Sequence, residues 1–292
     1  MPWWQLTLEA DSPQCEALEA LLLELGASAV TLDDAGDEPL FELAPGNMPR
    51  WSQIRLTGLF ADEIALLAAL AQLPEPLPAY QISTLADEPW ERSWMARFQP
   101  IRCGERLWIC PSWHQVDEPG AVVLQLDPGL AFGTGNHPTT QLCLGWLDSH
   151  PLAGLRVIDY GCGSGILAIA ALLLGAEQAV AIDIDPQALL ATRENAERNQ
   201  ISTERLTTFT TEDEPAVVAD LLLANILAGP LITLAPHLSQ RLAPGGTLVL
   251  SGLLAEQVEA VAAAYRPWFD LAAPTFAQEW VLLSGIKKAD PT

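Results

Sequence analysis

Apolar residues follow two rhythms over the first 88 positions of the chain. From Trp3 to Leu8 they alternate with polar ones, the period-two signature of a half-buried strand. From Pro13 to Leu25 the positions Leu18, Leu21, Leu22 and Leu25 follow helical spacing, which Gly26 ends. Ser28–Leu32 and Leu40–Leu43 read as short strands around the turn-rich Asp33–Pro39, and Gln53–Gly58 as another strand. Asp62–Leu73 reads as a second helix stopped by Pro74, and Tyr80–Leu85 as a closing strand. The order β-α-β-β-α-β is that of the ferredoxin-like split motif.

The pattern changes after residue 88. In Pro89–Phe98 the residues Trp90, Trp94 and Phe98 share one helical face, so residues 89–105 are expected to form a linker helix. Leu107–Cys110 and Val122–Leu126 read as strands and Pro138–Ser149 as a helix. Short apolar runs follow at Arg156–Tyr160, Gln178–Ile182, Leu206–Thr210, Asp220–Ala224 and Thr247–Ser251, with helical stretches between them. Phe269–Phe276 and Glu279–Ile286 are expected to close the set as an antiparallel hairpin. Short apolar strands separated by helices predict a parallel sheet covered on both faces. The expected fold is α/β: a doubly wound seven-stranded domain over residues 106–292, behind a small ferredoxin-like α+β domain over residues 1–88.

Composition narrows the class. The chain has 292 residues, 50% of them hydrophobic, enough for one large core and a smaller one. No apolar run reaches the ~18 residues of a membrane span. Met1-Pro2-Trp3-Trp4-Gln5 lacks the basic start and long apolar stretch of a signal peptide, so a cytoplasmic, membrane-free protein is expected. The five cysteines, Cys15, Cys103, Cys110, Cys143 and Cys162, are odd in number and scattered, which fits reduced thiols. With only four scattered histidines, no metal site is expected.

Charge adds a partner. The formal net charge is −23, and the only lysines are Lys287 and Lys288. Residues 1–88 hold 15 acidic and two basic side chains (Arg50 and Arg55), a balance of −13, against −10 for the remaining 204 residues. Such a surface repels nucleic-acid phosphates and attracts a basic partner. General solubility accounts for an acidic chain, but not for the concentration of charge in its first third. The first domain is therefore expected to bind a basic substrate, with no direct nucleic-acid contact.

Candidate chemistry sits in Val157-Ile158-Asp159-Tyr160-Gly161-Cys162-Gly163-Ser164-Gly165-Ile166-Leu167, an apolar strand running into a glycine turn and then a helix. Glycine is needed where φ is positive or where a ligand touches the backbone. In doubly wound sheets that ligand lies at the carboxyl ends of the strands. Asp159 stands two positions before the first glycine, and Ile166 occupies the place where a dinucleotide fingerprint has its third glycine. The next strand ends in Asp183, 22 residues after Gly161, where a carboxylate can accept both hydroxyls of a ribose. Asp185, before Pro186, fits the helix N-cap instead. These features resemble the class I S-adenosylmethionine-dependent methyltransferases and weigh against NAD.

Two further segments sharpen the resemblance. They are Leu126-Asp127-Pro128-Gly129-Leu130-Ala131-Phe132-Gly133-Thr134-Gly135-Asn136-His137-Pro138-Thr139-Thr140 and Ala224-Asn225-Ile226-Leu227-Ala228-Gly229-Pro230-Leu231. With the glycine loop and the Trp90-Glu91-Arg92-Ser93-Trp94 linker, they are similar to the family of methyltransferases that modify protein eleven of the large ribosomal subunit. The resemblance covers the whole chain. It implies S-adenosylmethionine as cofactor and methyl transfer to lysine ε-amines and the N-terminal α-amine of a basic ribosomal protein, repeated up to trimethylation. A monomer is expected. It also implies cofactor-binding roles for Thr140, Asp159, Gly161, Gly163, Asp183 and Asn225. Thr140 lies in a first helical turn, whose free N–H groups favour a carboxylate. Asn225 resembles the first position of the Asn-Pro-Pro-Tyr motif of amino-group methyltransferases, without its aromatic residue, and is the catalytic candidate. His137 reads as a helix-start residue.

The expected reaction is an in-line displacement by a neutral amine. A free lysine has a pKa near 10.4, so only about one in a thousand is neutral near pH 7.4. Desolvation and a neighbouring sulfonium both lower that pKa, so no strong base is compulsory. A small-molecule methyltransferase is the alternative, disfavoured by the separate first domain. A protein that merely binds the cofactor is disfavoured by the Asn225 segment.

Overall fold

The computed structural model describes residues 2–36, 51–74, 76–85, 98–127 and 135–289. The chain divides into two compact units, residues 1–95 and 96–292. No described helix is long and apolar enough to cross a membrane.

The first unit runs β1 (Trp3–Asp11), α1 (Ser12–Glu24), β2 (Ala29–Asp34), β3 (Gln53–Phe60), α2 (Glu63–Leu70) and β4 (Tyr80–Leu85). Its sheet order is β2-β3-β1-β4, with every neighbouring pair antiparallel, which is the ferredoxin-like arrangement. Period-two alternation buries Leu6, Leu8 and Ala10 of β1 and leaves Glu9 and Asp11 exposed. Cys15, Leu18 and Leu22 of α1 and Leu66 and Ala69 of α2 share one core with Leu6, Leu8, Ile54, Leu56 and Phe60. Asp62 caps α2 by accepting from Ala65 N at 2.8 Å. The strand expected at Leu40–Leu43 lies outside the described residues, as do residues 89–97 of the expected linker helix. The remainder of that linker is not helical. Ile101–Arg102 form a short strand, β5, that pairs antiparallel with the next one.

The second unit opens with the small sheet β5-β6-β7, where β6 is Leu107–Cys110 and β7 is Val122–Gln125. α3 (Pro138–Ser149) leads into the large sheet. Its strands are β8 (Arg156–Tyr160), β9 (Gln178–Asp183), β10 (Leu206–Thr210), β11 (Ala219–Asn225), β12 (Leu242–Leu254), β13 (Phe269–Leu271), β14 (Thr275–Ala277) and β15 (Trp280–Lys287). The helices between them are α4 (Ile166–Leu173), α5 (Pro186–Arg198), α6 (Ala228–Gln240) and α7 (Val258–Tyr265). The order β10-β9-β8-β11-β12-β15-β13 gives the seven expected strands, with short β14 added on β15. β8 to β12 are parallel and β15 is antiparallel to β12. The expected first strand of the hairpin is thus split into β13 and β14, both on β15; Pro274, which has no N–H to donate, lies in the break.

Each side of the large sheet has its own core. Val157, Ala179, Leu221 and Leu223 share a cluster with Cys143, Leu144 and α4, and Ile158, Leu222, Leu248 and Leu250 with α6 and α7. α4 is apolar all round, and Ile166 to Leu172 are all buried. It contacts β8 and β9 as well as β7, and Leu107, Ile109 and Leu124 of the small sheet belong to its cluster. The small sheet is fastened by Asp148, a buried carboxylate that accepts from Glu105 N at 2.5 Å and Arg106 N at 2.9 Å and pairs with Arg106 Nε at 3.4 Å. Replacing Asp148 by Ala removes both bonds to a charged acceptor, so stability is expected to fall by about 3 kcal/mol. Urea unfolding measures this directly, and a loss below about 0.5 kcal/mol, the level of an ordinary surface change, would mean that the turn is held by other contacts.

Candidate active site

The doubly wound order reverses between β8 and β11, and the strands on either side of that point carry the predicted residues at their carboxyl ends. Pairing aligns Thr210 with Asp183, and Asn225 with Ser251. One step beyond the pair Tyr160 and Ile182 stands Gly161, level with Asp183. Asp183, Gly161 and Asn225 therefore share one row along the sheet edge.

The glycine loop is shaped from outside. Gly161 N and Cys162 N both donate to Ile182 O, at 2.8 and 3.0 Å. Asp183 accepts from Gly163 N at 2.9 Å through one oxygen and from Asp185 N at 3.0 Å through the other. Thr192 on α5, fully buried, donates from Oγ1 to Gly163 O at 3.0 Å, and Asn195 donates to Ser164 O at 2.9 Å. Asp185 caps α5 by accepting from Gln187 N. The Asp183 carboxylate is only partly buried, and a carboxylate has about four acceptor sites, so ribose hydroxyls can still be accepted there.

Asp159 is placed differently from expectation. It is 1% exposed and accepts from Ala168 N at 3.0 Å, within the first turn of α4. It buttresses the loop from beneath. Burial pushes its carboxyl up to about 7; the Ala168 N–H pulls the other way and the nearby Asp183 adds to the rise.

Thr140 and Asn225, 85 positions apart, meet: Asn225 Nδ2 donates to Thr140 Oγ1 at 3.4 Å. Thr140 is 1% exposed in the first turn of α3. The cap of that helix is His137, whose Nδ1 lies 2.7 Å from Thr139 Oγ1 and 3.4 Å from Thr139 N, while Trp280 meets its ring edge-on at 4.7 Å. Burial pushes the His137 pKa down, which favours the neutral acceptor form used in this cap. Residues 128–134 of the motif before α3 lie outside the described residues. Among the described residues no cluster of His, Cys, Asp or Glu could hold a metal ion. A cavity of about 290 Å³ lies at the other end of the sheet, lined by Trp146, His150, Thr247, Asp270 and Ile286 among others. It includes neither the glycine loop nor any residue of the row, so the carboxyl edge is the candidate site.

The model of the ribosomal protein L11 methyltransferase family matches residues 2–288. The chain belongs to that family. It is 56% identical to the ribosomal protein L11 methyltransferase of Pseudomonas aeruginosa (strain LESB58), over 99% of this chain and all of that one. It is 52% identical to that of Cellvibrio japonicus (strain Ueda107), over 98% and 99% of the two chains. A crystal structure of the ribosomal protein L11 methylase from Lactobacillus delbrueckii subsp. bulgaricus superposes with a TM-score of 0.60 at 35% identity, covering 66% of this chain and all of that one. This family member is a class I, S-adenosylmethionine-dependent protein methyltransferase. The residues present fit that cofactor: a partly open carboxylate at the end of β9, a glycine turn fixed by external hydrogen bonds, and a helix start beside Asn225.

Thr192 and Asn195 are the support residues that sequence reasoning missed, and no motif marks them. Thr192→Val is expected to weaken S-adenosylmethionine binding about tenfold, the value of one lost hydrogen bond, while Thr192→Ser stays near wild type. Calorimetric titration in which Thr192→Val binds normally would remove the clamp from the cofactor site. For Asp159, the folded chain holds its proton up to about pH 7, whereas an unfolded Asp releases it near 3.9. The folded state thus binds more protons in this window, so this group makes stability fall as pH rises from about 4 to 7. Asp159→Asn should flatten that part of the curve of melting temperature against pH. An unchanged slope would show that Asp159 is ionised throughout.

Proposed function

We propose that this methyltransferase transfers methyl groups to amino groups of ribosomal protein L11, with Asn225 orienting the acceptor amine. The observation that carries the reading is the Asn225–Thr140 contact at the switch point, in the same row as Asp183. It sets a neutral amide, and the main chain after it, beside the place where the cofactor's reactive end lies if Asp183 takes the ribose. When bound, S-adenosylmethionine supplies an activated methyl on a sulfonium. Thr140 and the first turn of α3 bind its carboxylate end, Asp183 its ribose, and Gly161 and Gly163 let it approach the main chain. Asn225 Oδ1 accepts an N–H of a neutral amine and aims its lone pair. A neutral amide orients the amine without raising its pKa, as a carboxylate would. The acidic first unit, about residues 1–88, recruits the basic substrate. The enzyme acts as a cytoplasmic monomer without nucleic-acid contact. The close match in full length to relatives named for L11 supports the substrate.

Asn225→Ala is expected to cut the single-turnover rate on purified L11 about 10²-fold at saturating cofactor, the scale of a lost orientation effect, with cofactor affinity near wild type. The reverse pattern, collapsed affinity and normal turnover, would make Asn225 a cofactor ligand alone. In the same assay the apparent KM for L11 should rise with salt, because exposed charges are screened within about 8–10 Å. A salt-independent KM would place recognition outside the acidic surface.

A further inference from the structure

The segment carrying Asn225 is seated by main chain on both sides, and one of the seating residues has no role so far. β12 pairs with β11 as far as Asn225 and Ser251. The next residue, Gly252, has φ +85° and lies inside a register shift against β15 between Leu250 and Leu253. A Cβ on Gly252 would lie 2.3 Å from Ile226 O, 2.7 Å from Ile226 C and 3.0 Å from Ile226 N. On the other side, Ile226 Cγ2 occupies the space of a Cβ on Gly161, at 2.2 Å. Residue 226 thus fills a slot between two glycines of two different strand ends.

We infer that Gly252 is a positioning residue for methyl transfer: its empty face lets the Ile226 main chain sit against β12, and this sets where the Asn225 amide and the Ile226 carbonyl meet the acceptor amine. The inference rests on the proposed role of the Asn225 segment. Non-bonded carbon contacts need about 3.5 Å, so any side chain at 252 forces residue 226 to move by about 1 Å. The atoms in its way are main chain, which cannot swing aside as a side-chain tip does. Asn225 is one peptide bond away and moves with it. Asp183, Gly163 and Thr192 lie on β9, the glycine loop and α5, outside this contact. A side chain at 252 therefore acts first on the Asn225 segment and the chemical step, and leaves the Asp183, Gly163 and Thr192 part of the cofactor hold in place.

The test compares Gly252→Ala with Gly245→Ala in the full-length enzyme. Gly245 lies in the same strand at φ +78°, and nothing lies within 4 Å of its Cβ position. It carries the same left-handed strain without the clash. Gly252→Ala is expected to lower the single-turnover rate on L11 about 10²-fold at saturating S-adenosylmethionine, the scale of a misplacement near 1 Å, a far larger change than any in cofactor affinity. Gly245→Ala should lower the melting temperature and keep the rate. Equal rate losses in the two variants, or a Gly252→Ala rate like wild type, overturn the inference. If Gly252→Ala does not fold, Ile226→Ala empties the slot on the Gly161 side without backbone strain. It should slow turnover about tenfold or more at saturating cofactor, and an unchanged rate overturns the inference. Asn225→Ala separates the two layers. If that variant turns over normally, the role of Asn225 fails. If it is slow while Gly252→Ala is fast, only the slot fails.

Discussion

The hydrogen bond from Gly163 N to the Asp183 carboxylate, 2.9 Å long, is the constraint from which the rest of the site follows. It joins the end of β9 to the turn after β8. Thr192 takes the carbonyl of the same residue, so one glycine is held at both its donor and its acceptor. A backbone clamped in this way needs no ligand to take its shape. The ordering entropy of the loop is then met on folding and not on cofactor binding, which is where preorganisation gains affinity. The cost is local: a charged group is committed at the sheet edge, and on the proposed reading the ribose shares it.

Beneath that turn the enzyme keeps a second carboxyl, Asp159, close to its titration point by burial. Two ionised carboxylates this near in a low-dielectric site would repel each other. Asp183 is partly exposed beside the loop and Asp159 faces the start of α4, where an N–H and the helix dipole favour negative charge. The two acidic residues of the motif therefore divide the work. On the proposed reading one is presented to a ligand, and the other supports the loop beside it.

Contiguous features were legible in the sequence and folded-together ones were not. The glycine turn, Asp183 at a strand end, Asp185 before Pro186 and the Asn225 segment each announce themselves within a few residues, because local backbone geometry dictates them. The alternation of Leu6, Leu8 and Ala10 likewise exposed the first unit's sheet. Thr192, Asn195 and Gly252 act only across gaps of about thirty residues or between strands, and nothing in their own neighbourhood marks them. Asp159 shows the same limit from the other side: its spacing to the glycines was visible, but the direction of its side chain is fixed by strand alternation and the placing of α4. Of the expected linker helix, residues 89–97 lie outside the described residues; farther along, where helix was expected as far as residue 105, Ile101 pairs with Ile109 in a sheet. That long-range pairing has no trace in the aromatic spacing before it.

On the proposed reading, the distribution of charge follows from the chemistry. A surface that recruits a basic protein must be acidic, and residues 1–88 carry −13. Methyl transfer needs the opposite environment, because a carboxylate beside the acceptor holds it as ammonium and keeps its lone pair occupied. A single surface cannot serve both ends. The chain separates them: the carboxylates that draw the substrate belong to the first unit, while the contact at the reacting end joins an amide and a hydroxyl, Asn225 and Thr140. Of the acidic residues in the glycine motif and at the next strand end, Asp159 is buried against α4 and Asp183 is turned to the loop. Attraction then sets the encounter rate, desolvation sets the fraction of neutral amine, and neither is obtained at the expense of the other.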